Sequence, residues 1–100
     1  MIALNEKYLV SIQQICEDVF NVSGIRVILF GSRARGDAKE SSDIDLAVIS
    51  DLPVEKKIRL FRDQLQESTI PYCFDVVEFR DVTGTFKEKI EKEGVDIWKS

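Results

Sequence analysis

The period of the apolar positions changes several times along the chain, and each change marks an element. From Asn5 to Phe20, Leu9, Ile12, Ile15, Cys16, Val19 and Phe20 recur three and four residues apart, which predicts an amphipathic helix. Asn5 is its N-cap and Gly24 a stop signal shortly beyond it. Ile25-Arg26-Val27-Ile28-Leu29-Phe30 is β-branched and largely apolar, a buried strand that ends abruptly at Gly31-Ser32. The polar stretch from Gly31 to Ser42, GSRARGDAKESS, reads as a loop or a loop with one helical turn. Asp43 to Ile49 alternates and then turns apolar, a second strand.

Pro53 suits the first turn of the next helix, where Val54, Ile58, Phe61 and Leu65 form a stripe opposite Lys56, Lys57, Arg59 and Asp63; Pro71 closes it. Phe74 to Phe79 is a third strand. Asp81 is placed to cap a last helix with Val82, Phe86 and Ile90 on its apolar face and Gly94 past its end. The tail Val95-Asp96-Ile97-Trp98 adds a short extended piece at most. With no repeat or low-complexity tract, the order helix, strand, loop, strand, helix, strand, helix predicts an α/β (α+β) fold: a small mixed sheet of about three strands flanked by helices.

At 100 residues the chain has room for one domain, 1–100, with one modest core. Hydrophobic residues at 44% and charged residues at 32% argue against wholesale disorder. No apolar run approaches the roughly 20 residues of a membrane span, and no signal peptide is visible, so a soluble, cytoplasmic protein is expected. Cys16 and Cys73 could form a disulfide, but two buried thiols in a reducing compartment fit better. The net charge of −4, from 18 acidic and 14 basic residues, gives no basic surplus for gripping nucleic acid. The absence of histidine removes imidazole-based catalysis and leaves carboxylates, lysine, arginine, hydroxyls or an oxygen-bound metal.

One constellation stands out from that background. Residues i and i+2 share a strand face, so Asp43 and Asp45 project together while Ile44 and Leu46 point into the core. Like charges on one face repel, and a divalent cation such as magnesium would compensate them. On its own, such a pair is more often two solvated aspartates at a strand mouth. Gly31-Ser32 follows the preceding strand and stands ten residues before Asp43, and its backbone and hydroxyl suit a phosphate. Arg33 and Arg35 add charge suited to polyphosphate, although two solvated arginines in a turn would look the same. Asp75 is the third carboxylate; its rival Glu78 falls, by strand parity, on the opposite face with Val76.

Gly31-Ser32, the ten-residue spacer, Asp43-x-Asp45 and the later Asp75 resemble the minimal nucleotidyltransferase (MNT) branch of the DNA polymerase beta superfamily. The strings GSRARG and SDIDL are close to the form found in prokaryotic MNT-type antitoxins. The resemblance spans strand one through strand three and implies a palm-like nucleotidyltransferase fold. It implies that Gly31 and Ser32 hold the β- and γ-phosphates of ATP or another nucleoside triphosphate, with Arg35, and more weakly Arg33, in support. It implies that Asp43, Asp45 and Asp75 bind two Mg2+ ions, with Asp75 activating the attacking hydroxyl. In that family the partner is commonly a HEPN-type ribonuclease toxin that receives AMP. The alternatives are an antitoxin that masks its partner by contact, or transfer to a small-molecule hydroxyl. Leu60, Tyr72 and Trp98 are either a partner surface or ordinary edges of the core.

Overall fold

The computed structural model describes residues 2–100. Among them, helix α1 (Glu6–Val19) leads into strand β1 (Ile25–Phe30), a one-turn helix α2 (Ser32–Arg35) and strand β2 (Ile44–Ser50). Helix α3 (Glu55–Glu67), strand β3 (Phe74–Glu78), a 3-10 turn (Phe79–Asp81), helix α4 (Gly84–Glu93) and strand β4 (Val95–Lys99) complete the order. Asn5 caps α1 as predicted, its Oδ1 accepting the Lys7 N–H at 2.9 Å.

The sheet has four strands in the order β3-β2-β1-β4, one more than the apolar pattern indicated. β1 pairs antiparallel with β2 and β4, whereas β2 and β3 are parallel, as the crossover through α3 requires. The tail forms the fourth strand because β1 offers it a free edge. Ile25 and Ser100 exchange backbone and hydroxyl bonds there, and Arg26 holds Asp96 at 2.9 Å.

Strand alternation divides the interior in two. One face carries Val27, Leu29, Ile44, Leu46, Val48 and Val76 against α1 and α3, with Phe20 and Phe61 filling the middle. The other face carries Ile28, Phe30 and Ala47 against Ile90 of α4. Val54 and Ile58 of the α3 stripe, with Phe61 and Leu65, are buried as predicted.

Several boundaries differ from the sequence reading: β2 runs on to Ser50, and β3 stops at Glu78, with Phe79 in the 3-10 turn. Asp43 lies one residue outside β2, because ladder pairing begins at Ile44, opposite Phe74 of β3. Pro53 precedes α3 instead of occupying its first turn. Asp81 belongs to the 3-10 turn, and Thr83 stands at the start of α4 without a side-chain cap bond. Both cysteines are free, but only Cys16 is buried; Cys73 is exposed just before β3. Among the described residues no helix is long and apolar enough to cross a membrane.

Candidate functional site

β1 ends at Phe30, and the chain turns at once through Gly31, whose φ of +76° lies where side chains are disfavoured. A Cβ there would collide with Oδ2 of Asp45 and stand 3.2 Å from its Cγ. The glycine is thus demanded twice, by its backbone angle and by the carboxylate beside it. α2 starts at Ser32, and the first N–H groups of any helix have no intrahelical acceptor. These free donors stand next to the acidic strand end.

Phe30 is the register partner of Asp45, and Asp45 is the register partner of Asp75 on the parallel neighbour. Adjacent strands lie about 4.8 Å apart, and register partners present their side chains to the same face. Asp45 and Asp75 therefore stand side by side on the α4 face, with Asp43 just outside the strand. Glu78 is buried on the opposite face, as strand parity requires.

Electrostatics records the crowding. Partial burial pushes the Asp45 carboxyl above the usual carboxylate range, and the charges of Asp75 and Asp43 push it further; Arg35 and Lys89 pull the other way. Among the described residues no three carboxylate or thiol groups converge closely enough to share one ion. The acids are neighbours set apart, as mutual repulsion favours. Their donor set is all oxygen, with no histidine in the chain, and fits a hard cation such as magnesium better than zinc.

The two arginines of the motif part company. Arg35 faces outward, bonded through Nη1 to Glu93 at 2.9 Å and through Nε to Asp37 at 3.2 Å. Those two carboxylates raise its pKa above the ordinary arginine value. Arg33 is only 5% exposed and turns inward. It donates to the carbonyls of Ala3, Glu40 and Ser42 and lies 4.1 Å from the Tyr72 ring centroid. The structure therefore makes Arg33 a brace for the 36–42 loop, committed to carbonyls that a phosphate would have to displace.

Two residues of this neighbourhood escaped the motif reading. Lys89 belongs to a helical row in which Phe86 meets Phe30 edge-on and Glu93 holds Arg35. The row 86-89-93 could have been drawn from helical spacing, but nothing local shows which strand it covers. The Arg35–Glu93 pair spans 58 residues and leaves no sequence signal. Tyr72 and Trp98 pack at the edges of the core, whereas Leu60 is 47% exposed.

Residues 11–100 match the family described as Polymerase beta, Nucleotidyltransferase, and the chain belongs to that family. A Haemophilus influenzae protein named "Probable protein adenylyltransferase MntA" is 38% identical over 69 residues, 68% of this chain and 60% of its own length. A Methanocaldococcus jannaschii protein with adenylyltransferase in its name is 38% identical over 77 residues, 70% of this chain and 52% of that one. The chain thus spans a little over half the length of these two relatives. Among solved structures, a toxin–antitoxin complex with AMP-PNP superposes with a TM-score of 0.70 at 23% identity, over 97% of this chain and 75% of the other. A complex described as tri-AMPylated Shewanella oneidensis HEPN toxin with MNT antitoxin gives 0.68 at 19% identity, over 97% and 74%. At such identities these two structures establish the fold.

Proposed function

We propose that this chain is a magnesium-dependent nucleotidyltransferase that moves AMP from ATP to a hydroxyl on a partner protein, a HEPN-type toxin, in the cytoplasm. The observation that carries the reading is the register pair Asp45–Asp75 beside the Gly31 turn, with the charges of Asp43, Arg35 and Lys89 acting on Asp45. The relatives named as adenylyltransferases and the AMPylated toxin in a neighbouring structure support the choice of nucleotide and acceptor.

Asp43, Asp45 and Asp75 would hold two magnesium ions, which when bound neutralise triphosphate charge and make the acceptor hydroxyl more acidic. Asp43 and Asp75 are exposed and Asp45 is half-buried, which leaves their side chains room to change rotamer around an ion. Gly31 and Ser32 receive the β- and γ-phosphates on backbone N–H groups and the Ser32 hydroxyl. Arg35 exchanges its carboxylate partners, the exposed Asp37 and the half-buried Glu93, for phosphate; the exposed pair holds weakly. The proton of the acceptor hydroxyl passes to the Asp75 carboxylate and its oxygen bonds to the α-phosphorus. The bond to the bridging oxygen breaks, and its electron pair leaves on pyrophosphate. Positioning and charge neutralisation dominate such transfers, so a chain without histidine lacks nothing for them.

The test is transfer of label. Mixed with its co-purifying partner and Mg2+, the protein should move label from α-labelled ATP to the partner and none from γ-labelled ATP. Asp45→Asn should abolish transfer. Label-free partner that is nonetheless inhibited would instead favour masking by contact.

A further inference from the structure

In-line displacement fixes where the acceptor must stand. Pyrophosphate leaves on the Gly31–Ser32 side, so the hydroxyl approaches the α-phosphorus from the opposite side, past Asp75. β3 is an outer strand of the sheet, and beyond it the chain is open. At that edge lies a cavity of about 530 Å³ lined by Tyr72, Cys73, Phe74, Asp75 and Val76 before and within β3 and by Arg62 and Gln66 of α3. Tyr72, Phe74 and Val76 share the α3 face, whereas Asp75 alternates to the α4 face, so the cavity meets it at the strand edge. Its walls are aromatic, and its one basic group is Arg62. That guanidinium is held in place by a single bond, Nη2 to the Val76 carbonyl, which also occupies an outward carbonyl of the edge strand. Among the described residues Arg62 has no carboxylate within ion-pair distance.

We infer that this cavity seats the acceptor: a polypeptide segment laid along the outer edge of β3, whose acidic side chain pairs with Arg62 on the α3 side and whose neighbouring hydroxyl passes around the edge to Asp75. The inference rests on the nucleotidyl-transfer reading, in which the acceptor oxygen bonds to the α-phosphorus, its proton goes to Asp75 and pyrophosphate departs. Gln66 and the aromatic walls serve the acceptor backbone and side chain, and Arg62 selects its charge. Arg62 is here a specificity residue; it does not touch the reacting atoms.

Cys73 provides a reporter within the cavity that needs no turnover. It is exposed, whereas Cys16 is buried with its thiol pushed up to about 12, so a maleimide reads Cys73 alone. The probes are two peptides, one with tyrosine between glutamates and one with tyrosine between lysines, each titrated to the order of 1 mM, where weak contacts register. The acidic peptide should slow Cys73 modification roughly fivefold more than the basic one, as a single partly exposed charge pair allows. Arg62→Glu should reverse that order, and Arg62→Gln, which keeps a donor for the Val76 carbonyl, should abolish the preference. Mg2+ with ATP alone should leave the rate unchanged.

Protection by Mg2+ with ATP alone would make the cavity a nucleotide site and overturn the inference. So would protection that ignores peptide charge, or none from either peptide. Failure of label transfer with the acidic-peptide protection intact would instead remove the proposed reaction and leave the binding surface standing.

Discussion

Asp45 concentrates the physics of the site in one side chain. Its folded-state pKa is raised by burial and by Asp75 and Asp43, so the native state binds the proton more tightly than the unfolded chain does. Stability therefore falls as pH rises from the ordinary aspartate value near 4 through the raised one, and the penalty is fully present above it. Asp45→Asn should raise Tm at pH 7, because it removes the half-buried charge that Asp75 and Asp43 repel. The gain should vanish below about pH 4, where the carboxyl is protonated in both states; a Tm difference independent of pH would contradict the electrostatic origin. Arg33 makes the opposite case. Arg33→Ala leaves three carbonyls without their donor and should cost about 2–4 kcal/mol by denaturant unfolding. A phosphate-binding Arg33 would instead lose nucleotide affinity with stability unchanged. Residue type and spacing singled out both arginines but could not say which way each turns, because Arg33 reaches back 30 residues to Ala3.

Elements were legible where a local period governed them, and less so where a tertiary partner decided. The bounds of β1 are legible because a β-branched, largely apolar stretch between two glycines, broken only by Arg26, admits little else. α1 was found to within a residue at each end through its stripe and its asparagine cap. The fourth strand is less legible because Val95-Asp96-Ile97-Trp98-Lys99 carries two charged residues and follows α4 after Gly94 alone; the edge of β1 makes it a strand. Cys73 was misjudged as buried for a similar reason: it lies before β3, at an outer edge that no neighbour covers. The α4–β4 junction depends on close approach. At Gly94, with an ordinary backbone φ of −69°, a Cβ would run into Ile28 Cγ2 and the Ile90 carbonyl. Gly94→Ala should therefore destabilise by about 1–3 kcal/mol through overpacking. An alanine variant as stable as the parent by denaturant melt would show that α4 shifts freely on the sheet.

For the molecule as a whole, the motif spacing was enough to name the acids but not to pair them. Thirty residues separate Asp45 from Asp75, and only the crossover through α3 puts them in register. The cavity beyond Asp75 had no sequence signal, since α3 contributes Arg62 and Gln66 from its solvent-facing side. Two layers of helices around one mixed sheet thus bring Asp45 and Asp75 into register beside the Gly31 turn and leave the outer edge of β3 open. The most direct check is the melting temperature with and without Mg2+ plus ATP, for the parent and for Asp75→Asn. Ligand at about a hundred times its dissociation constant stabilises the native state by about 2.7 kcal/mol, roughly 10 °C or more here. The parent should show a rise of that order with both components together, and Asp75→Asn should lose most of it. An equal rise in both proteins, or a parent whose melting temperature does not move, would contradict a site built on Asp45 and Asp75.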